Sequence, residues 1–132
     1  INDRPRGTGL IGMLTAPQEW SFFLENLKQK MQVGVVRYTR PVSMTVSKVA
    51  VCGGSGSFLL SRAIAERADV FITADFKYHE FFDANDRIMI ADIGHYESEQ
   101  FTIELIKQLI VKKFSNFALR STKIITNPIN YL

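Results

Sequence analysis

Several features that define other classes of protein are scarce in this sequence. Among its 132 residues Cys52 is the only cysteine, so no disulfide can form within the chain. A lone thiol is typical of proteins in a reducing compartment, and we expect a cytoplasmic location. No apolar run is long enough to cross a bilayer and none resembles a signal peptide, so we expect no membrane association.

An excess of one charge is also lacking, because 16 lysines and arginines are set against 13 aspartates and glutamates, a net charge of +3. The basic residues are dispersed, and no nucleic-acid motif interleaves them with aromatic side chains. We interpret them as a solvated surface, and no nucleic-acid partner is evident. With 46% hydrophobic residues, the chain instead has the composition of a globular domain with its own core.

The start of the chain differs from the rest. It begins at Ile1, and its first residues are polar and contain glycine and proline, as linkers do. We expect a fragment of a longer protein, in which residues 1–14 are a connecting segment and residues 15–132 form one lobe.

Strand and helix patterns alternate after this segment. Thr15 and Gln18 have the spacing of a capping box and predict a helix from Trp20 to Met31, and short strands are expected at 35–38 and 44–46. The alternation predicts right-handed βαβ crossovers and an α/β fold, a three-layer lobe with a mainly parallel central sheet and helices on both faces. Further strands are predicted at 48–52, 69–73, 87–91 and 123–126, and further helices at 58–67, 80–84 and 96–114.

In a parallel sheet the loops that follow the strands share one edge, where ligands bind. The first such loop follows Cys52, and its glycines allow positive φ angles and an anion-binding nest of backbone N–H groups. It matches neither a Walker loop, nor a dinucleotide fingerprint, nor a nucleophile elbow. An anion site and a tight turn without a ligand both remain open, while Cys52 is interpreted as a small core residue. The loop comprises Gly53, Gly54, Ser55 and Gly56.

The second loop contains Asp75, Lys77 and His79. These side chains at a strand end could orient a substrate or relay a proton. Alternatively, Asp75 or Thr73 caps the next short helix and Lys77 is solvated.

The third loop contains His95 and Glu99, four residues apart at the predicted start of a helix and therefore on one helical face. Imidazole and carboxylate together suit zinc, iron, manganese or similar divalent ions, and Asp92 lies just before them as a supporting residue. The alternative is that the acidic residues only stabilise a helix N-terminus.

Three motifs in order resemble the C-terminal lobe of the Nif-three-like family, whose members are often named GTP cyclohydrolase I type 2 homologues. They are the segments 49–57, 68–75 with Tyr78 and His79, and 94–99. The resemblance extends from about Gly7 to the end, and residues 6–12 look like the segment that follows a PII-like insertion in longer members.

The resemblance implies two α/β lobes that enclose two divalent metal ions of the zinc, iron or manganese class. The N-terminal lobe of the same protein supplies a His-His pair and an Asp, and the C-terminal lobe supplies the residues that correspond to His95 and Glu99. Members form toroidal homohexamers. The sequence departs from the family pattern in two respects, since its only histidines are His79 and His95 and since Ala74 replaces a usual glycine.

The resemblance therefore implies half of a dinuclear site in a metal-dependent hydrolase that acts on a nucleotide-like substrate, with no catalytic residue identified. The fragment alone is expected to be inactive and to bind metal weakly or not at all. The alternative is a non-catalytic metal-binding assembly or a regulatory protein-interaction module.

Overall fold

The computed structural model describes residues 7–132, and at its centre lies one mixed five-stranded sheet. Its strands are β1 (Leu10–Glu19), β2 (Arg37–Tyr38), β3 (Thr45–Ser55), β4 (Val70–Ala74) and β5 (Met89–Asp92). Across the sheet their order is β1, β3, β4, β5, β2. The central strands β3, β4 and β5 are parallel, while β1 and β2 pair antiparallel at the edges. The α/β class is confirmed, but the expected mainly parallel sheet is corrected to a mixed one.

Helices connect these strands or follow them in the chain. They are α1 (Trp20–Lys30), α2 (Leu60–Ala65), α3 (His95–Glu99) and α4 (Thr102–Lys113), with 3₁₀ turns at Ser57–Leu59 and Tyr78–Ala84. The predicted helix 96–114 is thus divided, since α3 ends at Glu99 and α4 begins at Thr102. No helix within residues 7–132 has both the length and the apolar character needed to cross a membrane.

Each face of the sheet has its own hydrophobic core, because successive residues of a strand point to opposite faces. In β4, Phe71 belongs to one cluster with Leu60 of α2, whereas Val70 belongs to the other with Phe23 of α1. All five residues of β4 are buried. This central strand therefore fixes the position of the loop that follows it.

The segment before α1 differs from the prediction. Thr15 lies within β1, so the expected capping box is wrong, and Glu19 caps α1 instead by accepting from the N–H of Ser21 and of Phe22, each at 3.0 Å. Pairing with β3 and packing of Ile11 on the core outweigh the local helix signal. Residues 10–14 of the predicted connecting segment therefore lie in the sheet, and residues 1–6 lie outside the described part.

The predicted strand at 123–126 is also wrong, because residues 114–132 form neither helix nor strand. The sheet ends at β1 and β2, and this segment pairs with neither of them. Its apolar side chains Ile124 and Ile125 are exposed.

Candidate metal site

The candidate site lies at the carboxyl ends of the three parallel strands. Gly54 lies one residue before the end of β3, Asp75 follows β4, and His95 begins α3 shortly after β5. Asp75 and Gly94 both have positive φ, +61° and +90°, so the chain turns sharply after each strand. These turns bring together residues that are far apart in the sequence.

His95 is held between two carboxylates. Its Nδ1 lies 2.6 Å from Oδ2 of Asp75, and its Nε2 lies 3.5 Å from Oε2 of Glu99. Because an ionised carboxylate can only accept, Nδ1 carries the proton and donates to Asp75. In the neutral ring, Nε2 then keeps its lone pair on the side of Glu99. About half of each of the three side chains is exposed, so a ligand can reach them.

The electrostatic surroundings favour the protonated form of His95. The hydrogen bond to Asp75 raises the pKa of the imidazole above its ordinary value of 6.5, and the negative charges of Asp75 and Glu99 add to this effect. Partial burial acts in the opposite direction but does not cancel it. The positively charged imidazolium of His95 is therefore stabilised by the carboxylates of Asp75 and Glu99.

The backbone of Gly54 lies close to the side chains of His95 and Glu99, where a larger residue would not fit. Its φ is +64°, and a Cβ placed on it would lie 2.7 Å from Oε1 of Glu99 and 3.2 Å from Cε1 of His95. The N–H of Gly54 donates to Oγ of Ser98 at 2.8 Å, and its carbonyl accepts from Oγ1 of Thr73 at 3.0 Å. Of the N–H groups that could form the predicted anion nest, that of Gly54 is therefore already bonded within the chain.

The other predicted residues of these loops contact different groups. The backbone N–H of Lys77 donates to Glu80 at 2.8 Å, and the ring of His79 packs edge-on against Tyr78. Gly53 lies beside Cγ of Glu99, at 3.6 Å from an ideal Cβ. Ser55 pairs with Ala74 in the sheet, and Gly56 packs against Cys52 and Thr73. Only Gly53 and Gly54 of the first loop adjoin the His95 cluster.

Sequence reasoning passed over two residues near the site. Glu97 is 7% exposed and its Oε1 accepts from Nδ2 of Asn127 at 3.2 Å, so the C-terminal segment is bonded to α3. Arg37, on the edge strand β2, forms an ion pair with the buried Asp92. A helix-start Glu and a lone Arg on a two-residue strand carry no recognisable sequence signal.

The donor set fits a divalent ion, although incompletely. A histidine whose Nδ1 donates to a carboxylate and whose Nε2 faces another acid is the arrangement in which imidazole binds metals, because the outer carboxylate fixes the tautomer. Nitrogen and carboxylate oxygen suit zinc, iron or manganese. Within residues 7–132, however, no group of three or more His, Cys, Asp and Glu side chains is arranged to hold an ion. His95 and Glu99 are thus two candidate ligands on one side of a possible site.

Comparison with known proteins identifies the family of the chain. The sequence profile of Duf34/NIF3 (NGG1p interacting factor 3) matches residues 1–128. The chain belongs to the Duf34/NIF3 family. The resemblance predicted from the three motifs is thereby confirmed.

Individual Duf34/NIF3 relatives agree with this assignment. A Staphylococcus epidermidis protein named GTP cyclohydrolase 1 type 2 homolog is 36% identical over 130 residues, which are 95% of this chain and 35% of the relative. The crystal structure of a Bacillus cereus protein related to NIF3 matches with a TM-score of 0.80 at 29% identity, over 96% of this chain and 36% of that one. The crystal structure of a Staphylococcus aureus protein also gives a TM-score of 0.80, at 25% identity, over 94% of this chain and 42% of that one. The chain spans about a third of the length of the curated relatives it matches.

Proposed function

We propose that this chain supplies two ligands, Nε2 of His95 and the carboxylate of Glu99, to a divalent-metal site in a hydrolase that acts on a nucleotide-like substrate. The observation that carries the proposal is the hydrogen bond from Nδ1 of His95 to Asp75, which leaves Nε2 as the acceptor nitrogen, 3.5 Å from Glu99. The substrate class rests on the name GTP cyclohydrolase 1 type 2 homolog that the relatives carry.

Each residue of the cluster has a part in holding the ion. Asp75 fixes the orientation and tautomer of His95, and Gly54 leaves the space in which the imidazole and the carboxylate approach each other. A divalent ion bound here supplies Lewis-acid activation of water. The ligands that complete a two-ion site come from a second lobe of the same protein, in a homo-oligomeric ring. This chain alone therefore binds metal weakly and is inactive.

A second candidate is a metal-containing assembly or regulatory module without catalysis. The observation that favours it is α4, which has no buried residue. Five of its apolar side chains are between 45% and 58% exposed, namely Ile103, Leu105, Ile106, Leu109 and Val111. So much apolar surface on one helix is characteristic of a protein–protein contact.

Metal binding is the first test. Zinc or manganese titrated calorimetrically into the chain should bind weakly, and His95→Ala or Glu99→Ala should abolish the heat of binding. Glu104→Ala, which removes an exposed carboxylate from α4, is the matched control and should bind as the parent does. Unchanged binding in both site variants would show that the ions are held elsewhere.

Turnover separates the two candidates. A protein of the relatives' full length that carries this chain should be loaded with metal and incubated with GTP and other nucleotides. Release of product that is lost in Glu99→Ala supports the hydrolase. Full metal content without product from any nucleotide supports the assembly module.

A further inference from the structure

Asp92, the last residue of β5, accepts hydrogen bonds from the loops that carry Asp75 and His95 but contacts neither of these side chains. It is 3% exposed. Its Oδ1 accepts from the backbone N–H of Gly94 at 3.1 Å, and its Oδ2 accepts from the backbone N–H of Phe76 at 2.9 Å. Gly94 directly precedes His95 in the sequence, and Phe76 directly follows Asp75. One buried carboxylate therefore joins the two backbone segments whose side chains form the His95–Asp75 hydrogen bond.

Arg37 completes this connection from the neighbouring strand. It is the cross-strand partner of Asp92 in the antiparallel pair of β2 and β5, and its guanidinium lies 2.5 Å from Oδ2 of Asp92. The same guanidinium nitrogen donates to the carbonyl of Phe76 at 3.1 Å. Phe76 is thus held at its N–H by Asp92 and at its carbonyl by Arg37.

The segments that are held are those with unfavourable backbone geometry. Asp75 has a φ of +61°, a left-handed conformation that costs a non-glycine residue free energy and persists only where surrounding contacts impose it. Phe76, its neighbour, has a side chain that is 2% exposed in the core in addition to its two held backbone groups. The anchored Phe76 therefore fixes the direction in which Asp75 leaves the strand.

We propose that Asp92 and Arg37 are positioning residues that set the distance between Asp75 and His95, and so select the His95 tautomer with its proton on Nδ1. The proposal rests on the proposed function, because it assigns to the pair the preparation of Nε2 as a metal ligand. A purely structural pair would hold β2 on the sheet and leave the tautomer of His95 unaffected.

The test is the ¹⁵N NMR spectrum of His95 in the metal-free chain, at alkaline pH where the ring is neutral. The chain has two histidines, so His79→Gln assigns the resonances. In the parent, Nδ1 should have the shift of a protonated nitrogen and Nε2 that of an unprotonated one. In Asp92→Asn the amide has one acceptor oxygen, and its NH₂ must face a donor, so one of the two backbone segments is released. The two nitrogen shifts of His95 should then move towards each other.

Two further variants keep the test decisive. Arg37→Lys retains the charge but replaces the rigid guanidinium, one nitrogen of which reaches both Asp92 and Phe76, by an ammonium on a flexible side chain, so it should also shift the tautomer. Asp69→Asn is the matched control, because Oδ2 of Asp69 accepts from two backbone N–H groups, each at 2.7 Å, at the opposite end of β4. It should lower the melting temperature and leave the His95 shifts unchanged.

Parent-like His95 shifts in Asp92→Asn and Arg37→Lys, with circular dichroism showing folded protein, would overturn the positioning role. A shift in Asp69→Asn equal to that in Asp92→Asn would overturn it too, because it would reflect general loosening. These readings need no metal. If His95→Ala and Glu99→Ala bind metal as the parent does, that separate result contradicts the proposed function alone.

Discussion

Nδ1 of His95 lies 2.6 Å from Oδ2 of Asp75, although the two residues are 20 positions apart in the sequence. They meet because β4 and β5 are adjacent parallel strands whose carboxyl ends reach the same edge of the sheet. The contact is partly exposed to solvent, so it can respond both to pH and to a ligand.

The first prediction concerns the pKa of His95, which should exceed the ordinary histidine value of 6.5 because the imidazolium donates to Asp75 and lies near Glu99. Asp75→Asn should bring the pKa back towards the ordinary value, since an amide accepts more weakly and carries no charge. Asparagine tolerates the positive φ at this position, so the backbone should be little disturbed. The measurement is an NMR titration of the imidazole, with Glu104→Gln as a control that should titrate as the parent does.

The same shift implies a pH dependence of stability with a definite sign. Because the pKa is raised in the folded state, the contact stabilises the protein fully below the unfolded pKa of about 6.5. That stabilisation should be lost as pH rises through the higher folded value. The difference in free energy of unfolding between the parent and Asp75→Asn should therefore shrink on going from acidic to alkaline pH. A difference that grows with pH would contradict the assignment.

Gly54→Ala is expected to disturb the site itself. The new Cβ would lie 2.7 Å from Oε1 of Glu99, and the φ of +64° is unfavourable for alanine. The variant should lose about 1–2 kcal/mol of stability and should bind zinc more weakly than the parent. Gly12→Ala in β1 is the control, because its Cβ would meet nothing within 4 Å. Denaturant unfolding and zinc titration of both variants are the measurements, and equal effects would show that the space at Gly54 is not needed.

The sequence predicted the parts of the molecule that local patterns determine. Apolar runs identified the central strands, and the rule that parallel strands share a loop edge placed Asp75 and His95 together. The metal role of His95 and Glu99 stays a prediction. The edge strand β1 could not be predicted, because it begins at Leu10 in a segment that has the composition of a linker, and its pairing with β3 is non-local. The other edge strand, β2, lies within the strand predicted at 35–38. Arg37 was missed for a similar reason, since its partner Asp92 is 55 residues away.

Cys52 is predicted to be unreactive in the folded protein. It is 5% exposed, and burial together with the negative charge of Glu99 raises the pKa of its thiol. Because the thiolate is the nucleophile, iodoacetamide should label native Cys52 far more slowly than the same thiol in the denatured chain. Mass spectrometry of the labelled protein gives both rates. Equal rates would mean that the thiol is exposed, and that Cys52 should be reconsidered as a functional residue.

The last prediction is that the fold does not depend on metal. The chain is held by two hydrophobic clusters, one on each face of the sheet, whereas His95 and Glu99 are half exposed at its edge. Treatment with a chelator should therefore leave the circular dichroism spectrum and the melting temperature unchanged, and so should Glu99→Ala. Phe71→Ala is the contrasting variant, because Phe71 is 1% exposed in the central strand β4 and its truncation leaves a cavity. It should lower the free energy of unfolding by about 3–5 kcal/mol. A chelator effect of comparable size would show that a bound ion is part of the folded structure and that the two clusters are insufficient without it.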